Sequence, residues 1–164
     1  VAVGGMPMSI SRTTTKSERG MALLVSLVFL LLLTLIGISS MQNATLQEKM
    51  AGSVTLRNQS FQMAEAALRV GESAVQVEAY ALPMCAGTRC RPPAESSVVI
   101  AAGHNSSSGV TWIAAGSGFY GVQNIGTTKG AVNVPSGTSS TLYRVTAVGL
   151  AGNSRSVLES IYAK

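Results

Sequence analysis

One uncharged, strongly apolar segment constrains the fold of this chain more than any other feature. It covers residues 21–41, and the next charged residue is Glu48. As a helix, its 21 residues extend about 32 Å at roughly 1.5 Å per residue, which matches a hydrocarbon core of about 30 Å. A cleavable secretory signal is the alternative, but its apolar region covers only about 7–15 residues and ends in an A-x-A-like site. Residues 39–43 offer no A-x-A pattern, so the segment predicts a retained membrane helix.

The charges that flank this helix predict its orientation. Beyond it, Glu48 and Lys49 offset one another and Arg57 stands alone. The cations that precede it are Arg12, Lys16 and Arg19. Because the more positive flank stays on the cytoplasmic side, the N-terminus is expected in the cytoplasm and the chain from residue 42 onward in the periplasm.

The composition is compatible with few kinds of catalytic or metal site. The 164 residues include 12 Lys and Arg against 7 acids, which are all Glu, and one histidine, His104. Without Asp there is no Ser-His-Asp triad and no EF-hand loop, and two Cys with one His form a four-ligand zinc site only if Glu completes it. We therefore expect no enzyme activity, metal or cofactor, and we expect His104 at the surface. The net charge of +5 is too mild to predict a nucleic-acid partner.

The two cysteines, Cys85 and Cys90, form a C-x4-C pair. In an oxidising compartment this pattern predicts one structural disulfide, whereas the alternative, a redox pair, favours C-x-x-C spacing. Closing so short a loop contributes only about 2 kcal/mol in the chain-entropy model. The disulfide is therefore expected to stiffen a local turn rather than to hold the fold together.

The helix is predicted to continue beyond the membrane, because no proline occurs between residue 42 and Pro83 and helix-forming residues are abundant there. One helix from about residue 17 to about residue 81 is expected, with residues 42–81 outside the membrane. Residues 42–60 are polar nearly all round, which fits either a helix that finds partners in an assembly or a solvated stalk. From residue 61 an apolar stripe recurs at helical spacing. The stripe residues expected to pack on the head are Phe61, Ala64, Leu68, Val75 and Leu82.

Residues 82–164 predict a small β-rich head. Loops rich in Gly, Ser and Asn, such as residues 103–109 and 135–141, separate β-prone runs, and residues 149–154 predict a hairpin. The predicted strands cover residues 98–102, 110–115, 119–125, 141–148 and 155–162. A head this small has a thin core and needs the apolar stripe of the helix. Trp112 is expected to be a core or edge residue under the sheet. The predicted fold is α+β, with a long N-terminal helix packed against a small antiparallel sheet.

The start of the apolar segment carries a recognisable junction. Residues 16–20 read KSERG and residues 21–25 read MALLV. A short cationic leader that ends in Gly before an apolar helix resembles the type IV pilins and pseudopilins, in which a membrane-embedded aspartyl prepilin peptidase cuts after the Gly and methylates the new amine. The resemblance implies a cytoplasmic leader at residues 1–20, a cut between Gly20 and Met21, and N-methylation of Met21. Met8 is an equally suitable start of translation, and a start there leaves residues 1–7 untranslated.

A second stretch is more specific. Residues 45–52 (TLQEKMAG) and 61–69 (FQMAEAALR) resemble the N-terminal region of PilX-type minor pilins, and the hairpin at residues 143–162 resembles their C-terminal end. Residues 85–141 carry no such signature. The fifth residue after the cut is usually Glu in pilins and is Val25 here, which argues against a major shaft subunit.

The resemblance implies a minor pilin that helps to initiate type IV pilus assembly and supports adhesion and twitching motility. Its implied partners are other minor pilins, the major pilin, the inner-membrane assembly platform and a tip-associated adhesin, with the pilus on the cell surface as its final location. A minor pseudopilin of a type II secretion system is the alternative. A membrane-anchored periplasmic enzyme or ligand-binding module is a third interpretation, which the lone His104 and the lack of Asp disfavour.

Overall fold

The computed structural model describes Gly5 and residues 16–164, with side chains from Gly20 onward. The chain divides into two compact units, Val1–Glu48 and Lys49–Lys164. Most of the leader predicted at residues 1–20, including Arg12, lies outside the described residues. The predicted antiparallel sheet on a long apolar N-terminal helix is confirmed.

Helix α1 covers Lys16–Gln76. It ends five residues before the predicted end at residue 81. The backbone instead tightens into a turn, in which Tyr80 N donates to Val77 O at 2.9 Å. The Lys164 side chain donates to the carbonyls of Val77, Glu78 and Tyr80, which lie in this turn. Its positive charge therefore lies near the C-terminal end of the helix, where a cation is favourable.

Five strands form one antiparallel sheet in the order β1-β2-β3-β4-β5. Their bounds are β1 Gly103–His104, β2 Thr111–Ala115, β3 Gly118–Thr128, β4 Ser140–Ala151 and β5 Ser154–Ala163. The last hairpin turns in two residues rather than across the predicted loop at 149–154, because Gly152 adopts φ 56°. A positive φ at this position matches the twist of paired strands, so pairing continues to the turn itself.

The prediction of a strand at residues 98–102 is wrong. This segment follows a 3₁₀ turn, Ala94–Ser97, and leaves Val98 and Ile100 exposed by 68% and 75%. The short strand β1, within the predicted loop at residues 103–109, pairs with β2 in its place. A β-prone sequence forms a strand only where a neighbouring edge offers pairing, and here β1 occupies that edge.

Both faces of the sheet are covered. The face toward α1 carries the larger cluster of buried residues: Ala67, Val75, Tyr120, Val122, Tyr143, Val145 and Ala147. The opposite face carries a smaller cluster of Val110, Trp112 and Val148. Trp112, which is predicted to be a core or edge residue under the sheet, is 3% exposed. The helix therefore supplies the apolar surface that so small a sheet needs.

Candidate functional site

The apolar part of α1 has the properties of a membrane-spanning helix. By length and composition, the described helix from Gly20 to Gln76 includes a stretch apolar enough to cross a membrane, and that stretch is unburied within the protein. Two of its hydroxyl groups are satisfied within the helix, since Ser26 Oγ donates to Leu23 O and Thr34 Oγ1 donates to Leu30 O. Polar groups that bond back to the helix backbone suit a lipid environment, in which no water is available.

The predicted processing site lies near the start of this helix. Gly20 and Met21 are exposed, and a Cβ placed on Gly20 would meet no other atom within 4 Å. Any preference for glycine at this position therefore does not arise from packing among the described residues. Val25 is also exposed, at 51%.

In the head, α1 lies unusually close to the sheet. A Cβ placed on Gly149 of β4 would lie 2.0 Å from Ser60 O and 2.2 Å from Ala64 N, both of which are helix backbone atoms. A Cβ on Gly118 of β3 would lie 3.2 Å from the Cβ of Ala67. Small residues on both sides therefore let the two backbones approach. One feature of the sequence indicates this contact: Gly149 interrupts a strand pattern, and an isolated glycine in a strand indicates close backbone approach.

The buried face of α1 differs from the predicted stripe at its first residue. Ala64 and Val75 are fully buried, and Leu68 is partly buried against the core. Leu82 is also partly buried there, but it lies beyond the end of α1. Phe61, however, remains 48% exposed. The position that enters the interface is its neighbour Ser60, because the gap opposite Gly149 has no room for a large ring.

Ser60 is fully buried and hydrogen-bonded. Its Oγ lies 2.7 Å from Ser156 Oγ and 3.2 Å from Ser154 Oγ, and it donates to Arg57 O in its own helix. Further along, Ser160 Oγ donates to Glu72 Oε1 at 2.5 Å. A row of β5 hydroxyls thus pairs with polar groups of α1, which fixes the helix along the strand. The row was not predicted from the sequence, because the apolar stripe was the only contact between helix and head that the residue pattern indicated.

A disulfide joins Cys85 and Cys90, and their loop is held against the outer face of the sheet. Gln123 Nε2 donates to the carbonyls of Arg89 and Arg91 at 2.7 and 3.1 Å. Arg144 Nη1 donates to Cys90 O at 2.7 Å. Side chains of β3 and β4 therefore bind the loop backbone, and Gln123 is itself 6% exposed. The sequence predicted the disulfide but not these two supporting residues.

Tyr80 links the end of the helix to the sheet. Its ring meets that of Tyr143 edge-on, with the ring centroids 5.7 Å apart. Burial, with smaller contributions from Tyr120 and Tyr143, raises the pKa of the Tyr80 phenol from 10.0 to about 12. The neutral phenol is therefore the form that the folded head favours.

Other predicted features concern the surface. His104 is exposed, with Nδ1 3.0 Å from Thr111 Oγ1. Within the part of the chain that the structure describes, no group of three or more His, Cys, Asp or Glu side chains is placed to hold a metal ion.

One comparison with known proteins finds a similarity in the N-terminal part of the chain. Residues 19–69 match the family described as PilX N-terminal. The match covers the apolar part of α1 and most of its continuation along the head. No curated protein and no solved structure matches the chain.

Proposed function

We propose that this chain, which carries at residues 19–69 the N-terminal region of a PilX-type type IV pilin, primes pilus assembly as a minor pilin at or near the pilus tip. The observation that carries the proposal is the family match over a helix that is apolar through the whole membrane segment. The role is structural rather than enzymatic. Adhesion and twitching motility follow from it, because both depend on assembled pili.

Val25 supports the position at the tip. In pilins the Glu at this position is thought to pair with the N-terminal amine of a subunit already assembled above it. A carboxylate without such a partner is costly in a membrane helix, by about 2.5–3.5 kcal/mol at its centre and by less toward its ends. A subunit that enters first has no subunit above it. An apolar side chain therefore allows the helix to remain in the bilayer before assembly without an unpaired charge.

The proposed processing and location follow from the same resemblance to type IV pilins. Prepilin peptidase removes residues 1–20 on the cytoplasmic side and methylates Met21. The chain then spans the inner membrane once, with the head in the periplasm, until it joins the pilus on the cell surface. Its proposed partners are other minor pilins, the major pilin, the inner-membrane assembly platform and a tip adhesin.

Deletion of the gene and complementation test this role. We expect few surface pili without the chain and normal numbers when it is restored. Gly20→Glu should fail to restore them, because a side chain at the cut obstructs the approach of the peptidase to the backbone. Gly37→Ala is the matched control, since a Cβ at Gly37 meets open space within the same helix.

Exoprotein secretion, measured in the same strains, separates the two pilin-like systems. A deletion strain with normal pili that fails to secrete exoproteins contradicts the pilus role and identifies a pseudopilin of a type II secretion system. Lost pili with normal secretion support the proposal.

A further inference from the structure

A cleft of about 520 Å³ opens in the head beside the disulfide loop. Its volume lies within the range of pockets that bind small ligands or peptide ends. Apolar side chains form much of its wall: Tyr80, Leu82, Met84, Ile113 and Val122. Met84 and Ile113 remain 68% and 45% exposed. None of the contacts that hold the helix on the sheet uses these exposed surfaces.

A gap in the sheet creates this cleft. β2 pairs with β3 from Ala115 opposite Gly118 to Ile113 opposite Tyr120, and its earlier residues Thr111 and Trp112 pair with β1 only. The next backbone partner on that side of β3 is Met84, which bridges to Asn124. The cleft lies where the two partners diverge, beside Val122. It is therefore a fixed feature of the strand topology.

Arg89 is the one charged residue that lines the cleft in the described part of the chain. Its Nη2 donates to Ser106 O at 3.1 Å, and its Cδ would lie 3.5 Å from a Cβ placed on Gly109. The side chain is therefore held in place along the loop that contains both residues. Neither of the two ion pairs among the described residues includes Arg89.

The nearby carboxylate of Glu95 already has hydrogen-bond partners. Glu95 accepts hydrogen bonds from Ser108 Oγ and from Trp112 Nε1, and it is not among the lining residues. The lining thus combines a held guanidinium with an apolar wall and contains no carboxylate. A ligand that complements it carries a negative charge and an apolar group close together.

We propose that this cleft binds the C-terminal carboxylate of a partner protein whose last residue is apolar. A chain terminus places a carboxylate and an apolar side chain on one residue, which suits a cleft of this size. The planar guanidinium matches a carboxylate through two parallel hydrogen bonds, while the apolar wall receives the side chain. The site goes beyond the priming role and does not depend on it, since a pseudopilin with this head has the same cleft.

The test uses the full chain in detergent micelles, with isotope-labelled Met and Ile methyl groups observed by NMR. The probe is the acetylated pentapeptide Gly-Ser-Gly-Ala-Leu with a free C-terminus. We expect saturable shifts of the Met84 and Ile113 methyl signals. The same peptide with a C-terminal amide should bind at least about tenfold more weakly, because it lacks the charge-assisted hydrogen bonds to Arg89.

Variants at neighbouring arginines assign the effect. Arg89→Gln should weaken binding of the free peptide as much as the amide does, and Arg89→Lys, which keeps the charge, should retain part of the affinity. Arg91→Gln is the matched control, because Arg91 is exposed and does not line the cleft. Methyl signals away from the cleft report whether each variant is folded.

Three results would overturn the proposal. They are equal binding of the acid and the amide by the unaltered chain, equal effects of Arg89→Gln and Arg91→Gln, and no saturable shift at millimolar peptide. Octanoate that binds as tightly as the peptide would also contradict it, because the ligand would then be a free aliphatic carboxylate rather than a protein terminus.

Discussion

Replacing Gly149 by alanine should separate the helix from the sheet. The added Cβ would lie 2.0 Å from Ser60 O and 2.2 Å from Ala64 N. An ordinary contact begins near 3.4 Å, so the helix backbone must retreat by about 1.4 Å, the difference between 3.4 and 2.0 Å. Both obstructing atoms belong to the backbone and cannot rotate away. The retreat would also loosen the packing of Ala67 and Val75, which are fully buried.

The expected cost follows from this geometry. Overpacking a well-packed core typically costs about 1–3 kcal/mol. Because no flexible side chain can absorb the clash, we expect about 3 kcal/mol. For a unit of the size of Lys49–Lys164, this lowers the melting temperature by roughly 10 °C. The fluorescence of Trp112, the one tryptophan of the chain, reports the unfolding of the head in the full chain in detergent micelles.

Gly130→Ala is the control for this measurement. Its Cβ would lie 4.0 Å from Thr128 Oγ1, which is an ordinary contact, so we expect a change within about 0.5 kcal/mol. Equal melting temperatures for Gly149→Ala and Gly130→Ala would refute the close backbone approach of helix and sheet.

Three further outcomes are expected. Cys85 and Cys90 should resist thiol labelling without reductant in native protein, and labelling of both would contradict the disulfide. Unfolding midpoints in urea should fall more steeply between pH 10 and 12 for the unaltered chain than for Tyr80→Phe. Because the pKa of Tyr80 is raised in the folded head, its contribution to the free energy of unfolding is complete below pH 10 and is lost as the pH rises to about 12. Equal slopes for the two proteins would contradict the raised pKa. Mass spectrometry of the exported protein should find Met21, methylated, as the first residue, and an N-terminus at any other residue would contradict the cut after Gly20.

Features set by local sequence were the easiest to predict. The apolar run at residues 21–41 and the alternation in the last hairpin each determine their structure without knowledge of the rest of the chain. The Cys pair is also local, with five residues of separation and a Cα–Cα distance of 5.1 Å. In each case the residues that interact are close in sequence, so spacing alone is informative.

Features that depend on distant residues could not be predicted from spacing. Phe61 fits the helical stripe, yet Gly149 selects Ser60 for the interface. The helix ends at Gln76, and Lys164, which is distant in sequence, binds the carbonyls of the turn that follows it. Residues 98–102 are β-prone but meet no free edge. Tertiary contacts override local preference at all three places.

Immunogold labelling of sheared pili, with antibody against the head, tests the central claim most directly. If the chain primes assembly, gold should mark one end of the filaments, with few particles on each. Label spread evenly along the filaments would contradict priming from the tip and indicate a subunit distributed through the shaft, and filaments without label would contradict incorporation into the pilus.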